Sequence, residues 1–275
     1  MSARGWVFLL LSLGAGFACS ANAADNGAPQ PEVSDPHFQL APGYIKQSEL
    51  PDSLLLLGPP PPAGSARFAR DEEAREATIP LRKTARWELA RLDADLDFPQ
   101  PAKNFSCAMG VPIEENATPH VYKLMQRILT DAGLSTYGVK NAQHRTRPFV
   151  VHDEGTCWPD QEPLLRNDGS YPSGHTAAGW AWALVLTEVN PERKNELLAR
   201  GLAFGQSRVI CNAHWQSDVD AGRIMGAATV ARLHSDPAFV EDVKLARDEV
   251  ARAKAAGQAA KLECSAEAIA LSAKK

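Results

Sequence analysis

The sequence has 275 residues, 44% of them hydrophobic and 23% charged; this is globular composition with enough length for a sizeable core, and it excludes a disordered or fibrous chain. The net charge of −4 offers no basis for binding nucleic acid or an anionic membrane surface.

The chain opens with Arg4, a short apolar run over residues 7–17 and then Ala21, Asn22 and Ala23. That order of charge, apolar stretch and small-residue site reads as a secretory signal peptide, residues 1–23. The run is too short for a spanning helix, which needs about 20 residues. Lipid attachment at Cys19 is the alternative, but Gly16, Phe17 and Ala18 lack the usual leucine. No later segment is long and apolar enough to span a bilayer, so a mature periplasmic protein is expected, without membrane contact after cleavage.

Residues 24–43 are rich in Pro, Ala and Asn and are expected to be flexible. Leu54, Leu55, Leu56 and Leu57 run into Gly58 and four prolines, which cannot continue a helix. Residues 65–96 read as helical, interrupted at Pro80, and residues 119–132 carry Val121, Leu124, Met125, Ile128 and Leu129 at helical spacing. Residues 176–189 are apolar nearly all round, which predicts a central buried helix. Asn190 and Pro191 fit an N-cap and first helical position for a helix through Leu197, Leu198 and Leu202. Residues 219–233 form a small-residue helix suited to close packing. The Ala/Lys/Glu segment from 251 to 275 reads as a surface helix or a frayed tail. Strand signals are scarce, so the expectation is an all-α single-domain helical bundle over residues 44–250.

Four cysteines remain after signal cleavage: Cys107, Cys157, Cys211 and Cys264. In an oxidising compartment they suggest two disulfides, with three possible pairings. Cys157 and Cys211 each lie near a candidate catalytic segment, which favours 157–211 with 107–264. A zinc site is weakly supported, because no C-x-x-C pair occurs.

Polar residues interrupt the pattern in three places. Lys140 and Arg147 bound a basic island before Pro148, readable as a solvated helix end or as an anion clamp. Pro172, Ser173, Gly174 and His175 precede the apolar helix, either as an ordinary cap loop or as an anion site at a helix N-terminus. Ser207 and Arg208 lead to His214 and Asp218, four apart; on a helix these two would share a face, and the carboxylate would hold Nδ1–H and free Nε2 as a nucleophile.

Taken together, K-x6-R-P, P-S-G-H and S-R-x5-H-x3-D, in that order, match the signature of the phosphatidic acid phosphatase type 2 and vanadium haloperoxidase superfamily at every defined position. Residues 169–176, residues 205–211 and residues 214–220 resemble more narrowly the bacterial class A non-specific acid phosphatases. Asn212 departs from that class, where Gly is expected.

The resemblance implies a metal-independent acid phosphatase without a cofactor, acting on small phosphorylated substrates such as nucleotides, sugar phosphates and aryl phosphates, with possible phosphotransfer to alcohols. It implies that Lys140, Arg147, Ser173, Gly174 and Arg208 bind the phosphoryl group. His214 would be the nucleophile, Asp218 its orienting partner, and His175 the general acid. Tyr171 and Trp215 either offer a face to the leaving group or are simply packed. A homo-oligomer is expected. The alternatives are a vanadate-dependent haloperoxidase, a membrane lipid phosphatase, which lacks the required spanning helices here, and a non-catalytic periplasmic phosphate or nucleotide binder.

Overall fold

The computed structural model describes residues 40–260 and 264–272. The signal peptide, Cys19 and residues 24–39 lie outside the described residues. The described chain runs through α1 (Ser53–Leu56), α2 (Ala66–Thr78), α3 (Ala85–Ala94), α4 (Gln100–Met109), α5 (Pro119–Leu134), α6 (Tyr137–Gln143) and α7 (Pro148–Val151). It continues through α8 (Glu162–Leu165), α9 (Gly174–Val189), α10 (Lys194–Ile210), α11 (Gln216–Leu233), α12 (Pro237–Ala255) and α13 (Cys264–Ser272). No strand occurs among the described residues.

The nearly uniform apolarity of residues 176–189 is resolved by position: α9 is the central helix, packed against α5, α10, α11 and α12. Trp182 is fully buried and donates from Nε1 to the Met125 carbonyl over 2.8 Å, so its one polar atom is satisfied inside the core. Phe98, Phe105 and Phe204 surround it edge-on. The small residues of α11 serve its approach to α9. A Cβ at Gly226 would lie 2.5 Å from the Ala177 carbonyl oxygen, and one at Gly222 would lie 2.5 Å from that of Ser173.

The leucine run forms one turn, α1, capped by Asp52, whose side chain accepts from the Leu54 N–H. Leu54, Leu55 and Leu56 are exposed. Asn190 stands at the N-cap position and Pro191 opens the helical segment as expected, but that first turn, Pro191–Arg193, is 3-10, and the Asn190 side chain makes no cap bond; its amide donates instead to the Met109 carbonyl at 2.9 Å. Its buried position offers that carbonyl as a partner, and α10 begins only at Lys194.

Both disulfides have the expected pairing, Cys107–Cys264 and Cys157–Cys211. Helix α12 runs through residue 250 to Ala255, burying Val250 and Ala253. Beyond it, α13 is bonded to α4 through Cys264, and its Glu267 reaches Arg200 at 3.2 Å. No helix among the described residues is long and apolar enough to cross a membrane.

Candidate active site

Each of the three polar segments is shaped by local chain chemistry. Helix α6 ends at His144 in the left-handed region. Arg147 then takes an extended conformation, as a residue before proline must, and Pro148 opens α7. The Arg147 side chain is thereby turned inward. Its Nη1 donates to the Ala213 carbonyl and to His214 Nε2, at 3.0 and 2.9 Å.

Ser173 caps α9. Its hydroxyl accepts from the Thr176 N–H and from Thr176 Oγ1, and so keeps its own proton for another acceptor. The first-turn N–H groups of Gly174 and His175 face the same end, where the helix dipole favours an anion. The Ser173 N–H donates to the Asp218 carbonyl at 3.0 Å, which ties this cap to the third segment.

Arg208 stands in the last turn of α10. The chain then reverses through Asn212, whose φ of 62° lies in the left-handed region. Glycine is the usual choice there, and asparagine is among the few other residues that accept it. Asn212 also donates its amide to Glu154 and to the Gly155 carbonyl, bonds a glycine could not make. Ala213 and His214 both donate backbone N–H groups to the Arg208 carbonyl, which fixes the nucleophile candidate to the cation candidate.

His214 and Asp218 do not share a helix face. His214 lies in the turn before α11, and Asp218 is at the third position of that helix, where Oδ2 accepts the Trp215 N–H at 2.8 Å. The pair meets because Asp218 folds back over the helix start, as in a capping box. The resulting Nδ1 to Oδ2 distance is 3.4 Å, long for a hydrogen bond.

The pocket is a buried cluster of cations. Arg208 Nε and Nη1 are buried without a hydrogen-bond partner, an expensive arrangement in the absence of an anion. Burial, followed by repulsion from Arg147, lowers the Arg208 pKa to about 9. Burial likewise lowers Lys140 and Arg147, and Asp168 opposes both shifts. His214 is held well below the ordinary histidine range, first by burial and then by Arg147, Lys140 and Arg208. His175 is held low by burial and then by Arg208; its Nε2 donates to the Ala94 carbonyl at 3.0 Å. Both imidazoles are therefore neutral at rest.

Sequence reasoning passed over several groups. Asp168 bridges Arg147 at 2.8 Å and Lys140 at 3.4 Å. Lys140 also donates to the Gly169 carbonyl at 2.6 Å. Arg145 binds Asp218 and Asp71. Arg86 and Asp93 hold the motif serine, Ser207, with Arg86 Nη1 at 2.9 Å and Asp93 Oδ2 at 2.6 Å from its hydroxyl, and Arg200 in turn pairs with Asp93. The only sequence signal for Asp168 and Arg145 is adjacency to motif residues; Asp71, Asp93 and Arg86 have none. Tyr171 and Trp215 are both buried. The Tyr171 hydroxyl donates to the Gly58 carbonyl and Trp215 Nε1 to that of Thr146, so the polar tip of each ring is satisfied within the protein.

Residues 124–239 match the model of the PAP2 superfamily. The chain is 48% identical over 212 residues to a non-specific acid phosphatase of Providencia stuartii, covering 77% of this chain and 86% of that protein. It is 44% identical over 208 residues to a non-specific acid phosphatase of Salmonella typhimurium, covering 75% and 83%. It is 41% identical over 203 residues to an acid phosphatase of Zymomonas mobilis, covering 74% and 77%.

Proposed function

Since this chain belongs to the PAP2 superfamily, among its bacterial non-specific acid phosphatases, we propose that it hydrolyses phosphomonoesters in two steps through a phosphohistidine on His214. The chain is an acid phosphatase, and its substrates are phosphorylated small molecules. The observation that carries the two-step reading is the pair of unsatisfied Arg208 donors beside a neutral His214. A tetrahedral oxyanion would supply the missing acceptors.

In the first step the Nε2 lone pair of His214 attacks phosphorus in line, and the bond to the leaving oxygen breaks. Lys140, Arg147, Arg208, the Ser173 hydroxyl and the Gly174 N–H hold the equatorial oxygens, as charge builds there. The departing oxygen takes a proton from His175. Because the one proton of neutral His175 sits on Nε2 and is committed to Ala94, His175 first takes up a second proton from solvent at Nδ1 as the bound phosphate neutralises Arg208, and it is this Nδ1 proton that passes to the departing oxygen. In the second step water gives a proton back to His175 and attacks phosphorus. The P–N bond breaks, its electrons return to Nε2, and inorganic phosphate is released.

The motif residues address only phosphate, which supports a broad range of nucleotides, sugar phosphates and aryl phosphates, and transfer to alcohols that replace water. The two disulfides suit an oxidising compartment, and we place the mature chain in the periplasm after loss of residues 1–23. The exposed leucines of α1 support a homo-oligomer, for which light scattering showing a monomer is the contrary result. The function itself is tested with p-nitrophenyl phosphate. Wild-type enzyme should turn it over at acidic pH and His214→Ala should not; equal rates would remove the assignment.

A further inference from the structure

Asp218 is fully buried, yet its strongest contact is not the histidine it is expected to serve. Arg145 Nη1 donates to Asp218 Oδ1 at 2.6 Å, while His214 Nδ1 is 3.4 Å from Oδ2. The same guanidinium reaches backward through Nη2 to Asp71 Oδ2 at 2.7 Å and through Nη1 to Ser217 Oγ at 2.7 Å. Asp71 closes the loop by accepting from the Ser217 N–H at 2.8 Å and lying 2.6 Å from the Ser217 hydroxyl. Arg145 also lies over the Trp215 ring, with 5.4 Å to the centroid. Its side chain is thus fixed on three sides by α2, Trp215 and α11.

We propose that Arg145 is a positioning residue for the phosphohistidine chemistry, with Asp71 and Ser217 as its anchor: it keeps Asp218 ionised and seated behind His214. This rests on the two-step reading above. The argument is one of charge. When His214 becomes phosphorylated, its ring acquires positive charge, and an ionised Asp218 stabilises that charge from behind. Burial alone would favour the protonated, useless carboxylic acid. Arg145 opposes this most strongly among the groups facing Asp218. The others are Arg147 and Lys140 on the pocket side, the Trp215 N–H and His214 on the same turn, and Tyr171 from the loop before α9. Asp71 is the anion on the far side of Arg145. None of the Arg145 side-chain contacts reaches the groups proposed to hold the phosphoryl oxygens, so its effect should fall on turnover and not on phosphate affinity.

The experiment compares Arg145→Met, Arg145→Lys and Asp71→Asn with wild type, using p-nitrophenyl phosphate across the acidic pH range and inorganic phosphate as competitive inhibitor. Arg145→Met should lower kcat roughly 10- to 100-fold, with KM and phosphate inhibition within about twofold of wild type. It should also move the acidic limb of the pH–rate profile to higher pH, because removing a cation makes both Asp218 and His214 easier to protonate. Arg145→Lys should recover part of both effects. Asp71→Asn removes an anion and should move the same limb the opposite way, to lower pH; this arm stands even if Arg145→Met fails to fold. Unchanged kcat and profile in Arg145→Met, or a shift to higher pH in Asp71→Asn, would overturn the proposal. Should wild type be active and His214→Ala inert while these variants behave like wild type, only the role of Arg145 fails. Should His214→Ala stay active, the two-step reading fails first.

Discussion

Arg147 Nη1 donates to His214 Nε2 over 2.9 Å. A guanidinium only donates, so the resting imidazole carries its proton on Nδ1 and keeps its Nε2 lone pair beneath a cation. In the proposed reaction, substrate oxygens draw Arg147 off that lone pair before attack. The same arrangement keeps His214 from being protonated and silenced.

His175 also rests neutral beside Arg208, and a bound anion would neutralise that cation and let His175 take up a proton. We therefore predict that sulfate, which stays dianionic throughout, binds more tightly as pH falls below about 6.5. Calorimetry in buffers of different ionisation enthalpy should show proton uptake on binding. Affinity independent of pH would contradict the neutral resting state.

The stability of the unliganded protein follows the same shifts. Both pocket histidines have folded-state pKa values below their unfolded value of about 6.5. Their contribution is full above that pH and is lost as pH falls toward the depressed values. Asp218, raised by burial, acts in the opposite sense at lower pH, since the folded state holds its proton more tightly. Tm should therefore decline between neutral pH and about pH 5, and saturating sulfate should reduce the decline. A Tm that rises over that interval would be the contrary finding.

Arg208→Met should separate stability from activity. It removes buried donors that have no partner, so it should raise stability by about 1 kcal/mol or more, as replacing buried charge often does. The same change should cost roughly 100- to 1000-fold in kcat/KM, the scale for a lost oxyanion donor. Parallel loss of Tm and activity would place Arg208 in the scaffold and not in the pocket.

Reduction of Cys157–Cys211 should act on the site directly. The bond joins the loop after α7 to the turn carrying Asn212 and His214, and the Cys157 N–H also donates to the Cys211 carbonyl at 3.2 Å. Closing a loop of 54 residues is worth about 4 kcal/mol. Cys157→Ala with Cys211→Ala should lose stability on that order and lower kcat. An unaltered melting curve would count against it.

Under the proposed mechanism activity should survive excess EDTA, because Lys140, Arg147 and Arg208 would provide the fixed positive charge that the equatorial oxygens need. Among the described residues no group of three or more His, Cys, Asp and Glu could hold a metal ion. Loss on chelation, restored by a divalent ion, would require a different mechanism.

Much of the helical architecture could be read from the sequence because the signals are local. The apolar positions of α5 recur at helical spacing, and the small residues of α11 anticipate its close approach to α9. The motif residues were legible as types: cations, a capped helix start and a histidine four before a carboxylate. Their geometry was not. The spacing of His214 and Asp218 suggests one helix face, but the turn through Asn212 leaves the histidine outside α11. Asp71, Asp93 and Arg86 carry no pattern at all, since they reach the site from α2 and α3 through tertiary packing. Of the two readings open for the segment after residue 251, a surface helix or a frayed tail, α13 takes the first: Cys264 and Glu267 tie it to the body, and it packs against α3 with Ala270 buried.

The central matter is whether phosphate passes through one particular nitrogen. Wild-type enzyme mixed with substrate and quenched in alkali within the first turnovers should yield, on peptide mass spectrometry, a phosphorylated imidazole at residue 214 that is lost on acid treatment. A fully active enzyme whose quenched peptides carry phosphate at some other residue, or never at any, would contradict the account.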